Sequence, residues 1–196
     1  MTAVLRALLG AALLLLAGCA GTPLPDQEPE LEFEEDLPLN PVPYVDLDRY
    51  MGRWYIIANI PYFAESGNVA VYVEYSMRKD GIIADRYTAQ DRFDLPPFTK
   101  DGKIEVTNPV NNAEGRISFL PPIWQDYAVL YIDTDYRHTV IGHPSRNYCW
   151  IFSREPRMSD AVYQEALAAL QANGFDVSRV FKIPQLPEDI GQPGYQ

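Results

Sequence analysis

Eight short runs rich in β-branched and aromatic residues, each ended by a turn signal, constrain this chain more than any other feature. They lie at 54–60, 69–77, 82–89, 103–107, 116–120, 127–133, 137–142 and 148–153. Asp80-Gly81 and Asp101-Gly102 are hairpin signals, and Asn108-Pro109 and Pro121-Pro122 stop the strands before them. In the second run Val69, Val71, Val73, Tyr75 and Met77 share one parity while Glu74 and Ser76 take the other, as a strand with one buried face requires. Consecutive strands with hairpin-length connections predict an all-β fold: an antiparallel up-and-down meander closed into an eight-stranded barrel. The 13 Tyr and 3 Trp suit strands.

One helix follows. Ser159 suits its N-cap, and Val162, Tyr163, Ala166, Leu167 and Leu170 form one apolar face. Val162 occupies the third place after Ser159, so no capping box is expected. Gly174 suits the C′ position and Phe175 the contact after it. A short extra strand is predicted over 178–183, and the turn-rich tail 185–196 is expected to be loosely ordered.

Ahead of the barrel, Arg6 precedes an apolar stretch over 7–16 that ends in Ala17-Gly18-Cys19. Spanning a bilayer takes about 20 apolar residues, so this stretch reads as a signal peptide over 1–18. Leu16-Ala17-Gly18-Cys19 resembles the bacterial lipobox. That resemblance implies that Cys19 is acylated and becomes the new N-terminus, a lasting anchor at about 0.8 kcal/mol per buried methylene. Ala20, where inner-membrane lipoproteins carry Asp, implies the outer membrane, with the periplasmic face favoured. Residues 19–43 then form an acidic, Pro-rich tether. Asp26, Glu28, Glu30, Glu32, Glu34, Glu35 and Asp36 alternate with six prolines, and self-repelling charge with proline keeps such a segment extended.

A net charge of −11, or −12 once Arg6 is removed, excludes a nucleic-acid binder, because no basic stripe is available to meet phosphates. Two cysteines cannot staple a fold. His138 and His143 take opposite parities and find no third ligand, so no metal site is expected. Cys149 sits in an apolar run without an adjacent base, and Ser145 and Ser153 lack a nucleophile-elbow context. The chain is not expected to be an enzyme or to carry a cofactor.

Gly52-Arg53-Trp54-Tyr55, Thr134-Asp135-Tyr136 and the run Trp150-Ile151-Phe152-Ser153-Arg154 stand in this order across the strands and before the helix. The chain thereby resembles the lipocalin family over residues 45 to 184. Within it, the bacterial outer-membrane lipoprotein lipocalins, related to apolipoprotein D, are most similar. The resemblance implies a domain over 44–184 in which Trp54 plugs one end of the barrel and Arg154 stacks over it. Gly52 would permit close backbone approach, and Asp135 would accept from backbone amides of its turn. These residues close the barrel and bind nothing.

Family register directs Ile56, Ala58, Val71, Val73, Tyr75, Ile117, Phe119, Tyr127, Val129, Tyr131, Tyr148, Trp150 and Phe152 inward, with Cys149 and Ile151 outward under the helix. Asp85 and Arg86 are adjacent, so one must face inward; a place at the wet rim is expected, where Arg86 could grip an anionic head group. The apolar loop 91–100 is expected to form part of the mouth. An apolar, phenol-rich barrel suits a fatty acid or lysophospholipid, held for storage, transport or membrane repair. The competing reading is a filled barrel whose surface recognises a partner protein. Partners are therefore the ligand and the membrane reached through acyl chains; the sequence leaves a homodimer open.

Overall fold

The computed structural model describes residues 38–196. The signal peptide at 1–18, the acylation site Cys19 and the tether over 19–37 lie outside the described residues.

A one-turn helix α1, Leu47–Tyr50, comes first; Asp46 caps it by accepting from the amides of Asp48 and Arg49. Eight strands follow: β1 (Gly52–Asn59), β2 (Val69–Met77), β3 (Ile83–Gln90), β4 (Phe98–Val106), β5 (Glu114–Leu120), β6 (Ile123–Ile132), β7 (His138–Gly142) and β8 (Cys149–Ser153). Each pairs antiparallel with the next, and β1 pairs with both β8 and β2, which closes the predicted barrel. Helix α2, Asp160–Ala172, and a two-residue strand β9, Phe181–Lys182, complete the fold.

Two apolar cores share the barrel wall. Inside lie Trp54, Ile56, Val71, Val73, Tyr75, Ile83, Tyr87, Ile104, Val129, Ile141 and Phe152. Outside, Ala58, Ala128, Leu130, Val140, Cys149 and Ile151 meet Tyr163, Ala166 and Leu170 of α2 and Phe175 beyond it. Burying a side chain such as Leu170 contributes about 1.5–3 kcal/mol. Ser159 caps α2 through the Val162 amide as expected. The helix ends where Gly174 takes φ +79 and the amides of Gly174 and Phe175 reach back to Gln171 O and Leu170 O, which turns Phe175 into this outer core.

Several expectations need correction. The strand expected over 178–183 is a 3₁₀ turn, Val177–Arg179, followed by the shorter β9; Asp176 accepts from the Ser178 amide and holds the turn. Residues 38–43, assigned to the tether, pack on the domain: Leu39 joins the outer core, and the Val42 amide donates to Val129 O at 2.8 Å. The loop expected over 91–100 ends sooner, because β4 begins at Phe98 and runs through Asp101-Gly102, which pair with Arg86 and Asp85 on β3 and form no hairpin turn.

Nor is the tail loose. The β1–β2 pairing runs only from Gly52–Tyr75 to Tyr55–Tyr72; at Val71 and Ala70, which takes φ +50, the two strands stand apart and the C-terminal segment fills the gap. The Gln185 amide side chain donates to Ile56 O (2.8 Å) on β1 and Val71 O (3.2 Å) on β2. Ile183 N donates to Ile57 O, Ala70 N to Pro184 O, and buried Asp189 accepts from the amides of Gln185 and Leu186. Composition predicted mobility there; buried polar pairing overrides it.

Candidate ligand-binding cavity

Alternation along the strands turns one face of each inward, and the side chains leave a cavity of about 180 Å³. Its closed end is built on Trp54, which is fully buried and donates its indole N–H to Tyr50 O at 2.8 Å. Arg154 covers the indole from outside. Gly52 takes φ +94 there, and a Cβ on it would come 3.4 Å from Arg154 Nη1. The Tyr136 hydroxyl accepts from Asp46 N (2.8 Å), and Thr134 O accepts from Arg49 Nη2 (2.8 Å), which ties this turn to α1. The turn's acceptor is Asp133, not the expected Asp135. Asp133 takes the amides of Arg137 and His138 at 2.7 and 2.6 Å, while Asp135 is exposed. The three-residue motif fixed the turn's place but not which carboxylate closes it.

Of the residues expected to face inward, Ile56, Val73, Tyr75, Ile117, Phe119, Tyr127, Tyr148, Trp150 and Phe152 line the cavity. Val71 and Val129 belong to the inner core without reaching the cavity wall. Ala58 and Tyr131 do not face inward. Bulges between Ile56 and Ala58 and between Val129 and Tyr131 each insert one residue and reverse the parity beyond it. Ala58 therefore lies in the outer core, and the Tyr131 hydroxyl reaches Glu165 on α2 at 3.3 Å.

The wall also includes residues that sequence reasoning passed over. Tyr50 comes from α1, Tyr62, Ala64 and Glu65 from the β1–β2 loop, and Tyr87, Lys100, Ile104, Gln125 and Ile141 from strands. Tyr87 and Ile104 were legible, since each continues an apolar alternation; the loop residues carried no periodic signal. Glu65 is held near the mouth by Asn59 Nδ2 (3.1 Å) and Trp150 Nε1 (3.0 Å). Burial raises its pKa, and those two donors, with Lys100, partly offset the rise.

The adjacent charges on β3 resolve against expectation. Arg86 points out and pairs with Asp101 at 3.0 Å, while Asp85 points in and is buried rather than wet at the rim. Desolvation pushes its carboxyl up to about 8, and the charges of Glu65 and Asp101 add to the rise. The phenols of Tyr75 and Tyr127 are raised chiefly by burial as well. Cys149 faces outward beneath α2, fully buried, with its thiol pushed up to about 12 by burial. His143 and Ser145 bond within their own exposed turn at 2.8 Å.

A lipocalin-like domain model matches residues 45–185. The chain belongs to the lipocalin family. Lipocalins are in general binding proteins for small hydrophobic ligands rather than enzymes, and this barrel has the cavity such a role needs. This lipocalin is 38% identical over 143 residues to the outer membrane lipoprotein Blc of Escherichia coli K12, covering 71% of this chain and 79% of that protein. It is 34% identical to temperature-induced lipocalin-1 of Arabidopsis thaliana, covering 72% and 80%. Among solved structures, lobster apocrustacyanin A1 superposes with a TM-score of 0.57 at 22% identity, covering 72% and 82%, and shares the fold.

Proposed function

We propose that this lipocalin is an outer-membrane lipoprotein, anchored through Cys19, that captures the acyl chain of a fatty acid or lysophospholipid for storage, transport or repair of membrane lipids. The observation that carries this reading is the cavity wall, where Ile56, Val73, Ile104, Ile117, Ile141 and Phe152 offer an apolar surface beneath an aromatic mouth. Each methylene buried there contributes about 0.8 kcal/mol. Among the described residues Lys100 is the only Lys or Arg on that wall, and it is exposed, so an anionic head group rests at the mouth with its chain pointing down. The outer-membrane relatives support the location and the lipobox resemblance supports the anchor. No helix among the described residues is long and apolar enough to cross a membrane.

The test uses the polypeptide from residue 20 onward. Co-purifying lipids are extracted for mass spectrometry, and uptake of a fluorescent fatty acid is titrated on wild type and Trp150→Ala. Stoichiometric single-chain lipid is expected, with affinity reduced roughly tenfold by the lost indole. No lipid and no uptake up to roughly tens of micromolar would overturn the reading in favour of a partner-binding module.

A further inference from the structure

Acyl-chain capture leaves the closed end of the cavity unexplained. Asp85 stands opposite Tyr75 on β2, and Tyr75 stands opposite Gly52, the first residue of β1. Asp85 therefore sits near the Trp54 plug. It is 2% exposed, lines the cavity, and its Oδ1 has no hydrogen-bond partner among the described residues. Arg86 cannot serve it from the far side of the wall. The Tyr50 hydroxyl lines the same cavity and is buried. Thr139 beside it donates to Tyr131 O at 2.9 Å and keeps lone pairs toward which the Tyr50 O–H can turn, while no N–H or O–H donor reaches the Tyr50 oxygen among the described residues. The Tyr50 and Tyr75 rings stack at 5.9 Å between centroids.

A buried carboxyl oxygen left without a donor is costly, and the methyl end of a fatty acid would serve neither it nor the Tyr50 oxygen. A primary ammonium has three N–H donors and no acceptor, so it can bond Asp85 Oδ1 and the Tyr50 oxygen while lying against aromatic faces. A phosphate or carboxylate at the closed end would meet Asp85 directly, and Arg154, the cation behind the plug, lies on the far face of Trp54 with its nitrogens given to backbone carbonyls. We propose that the closed end of this cavity is a polar subsite for the ammonium head of a phosphate-free single-chain amphiphile, a long-chain amine or amino alcohol, with Asp85 as counter-ion and Tyr50 as acceptor. This rests on the barrel being an acyl-chain binder and adds a second ligand class, bound head-down.

Three probes of equal chain length, tetradecylamine, tetradecanol and tetradecanoic acid, compete with the fluorescent fatty acid on the polypeptide from residue 20 onward at about pH 9, where Asp85 has given up its proton and the amine is still charged. About 0.5 M salt screens attraction of the amine to the acidic surface. On wild type the amine is expected to displace the reporter at concentrations roughly tenfold below those of the acid and the alcohol. Asp85→Asn removes that preference while alcohol binding persists, which also shows the variant folded. An amine no better than the alcohol, or a preference that survives Asp85→Asn, overturns the subsite and leaves acyl-chain capture standing. Failure of the reporter and all three probes to bind overturns both.

Discussion

The guanidinium carbon of Arg154 lies 3.6 Å from the centroid of the Trp54 ring, and its nitrogens reach four backbone carbonyls from that position. Nη1 donates to Arg53 O (2.7 Å), Nη2 to Arg49 O (2.7 Å) and Tyr50 O (3.3 Å), and Nε to Tyr136 O (3.2 Å). One side chain thus ties α1, the start of β1 and the β6–β7 turn to the plug. Arg154→Ala is expected to cost about 2–4 kcal/mol, because it removes a cation–π contact and leaves carbonyls short of a donor. Arg154→Lys keeps the charge but cannot reproduce the fork, so it should recover less than half of the loss. Urea unfolding of the three proteins measures this; equal midpoints would refute it.

Asp85 makes stability depend on pH. In the unfolded chain its carboxyl titrates near its ordinary value of 3.8, and in the fold it is pushed up to about 8. Between those values the folded protein keeps a proton that the unfolded chain has released. The stability associated with neutral Asp85 is therefore complete below about pH 4 and is lost as pH rises through about 8. Tyr50, Tyr75, Tyr87 and Tyr127 face the same space with phenols raised above their ordinary values, so they do not titrate in this window. Glu65 is present in both proteins compared. Asp85→Asn should match wild type at acid pH and exceed it by roughly 2–5 kcal/mol at pH 9. Urea midpoints at pH 4.5 and pH 9 decide this, and a gap that does not widen with pH would count against it.

Gly142 sets how closely the helix side packs on the barrel. A Cβ there would come within 2.6 Å of Phe175 Cζ and of Leu130 Cδ1, so Gly142→Ala should cost about 1–3 kcal/mol by wedging them apart. Cys149 stands opposite Gly142 in the β7–β8 pairing and reports on the opening. Its thiol, buried and pushed up to about 12, should react slowly with a thiol reagent in wild type. Labelling should quicken about tenfold in Gly142→Ala. An unchanged rate would show that the helix does not open there.

How much of this was legible before the structure depends on period. The barrel, α2 and the plug follow from alternation, capping and three spaced motifs, all local signals. Ala58 and Tyr131 were misplaced because each lies beyond a bulge, where one inserted residue reverses inside and outside with no change in residue type. Asp85 was misread because a charge in a strand normally marks a wet face; here the rule gives way at the cavity. Tyr50 and Glu65 come from a one-turn helix and a loop, which have no periodicity to read. The tail looked mobile because it is rich in Pro, Gly and Gln, yet its order is set by partners more than a hundred residues away in sequence, as with Gln185 and Ile56.

That last contact bears on how the protein behaves in a crowd. Where β2 leaves β1, a stretch of main-chain donors and acceptors would stand open, and such an edge invites a strand from a neighbouring molecule. Gln185 and β9 occupy it from within the same chain, so β1 has a partner along both flanks. Molecules tethered to one membrane would meet at high density in two dimensions, where an open flank could template sheet growth from copy to copy. With the seam closed by the chain's own C-terminus, this flank offers no open template to a neighbouring copy.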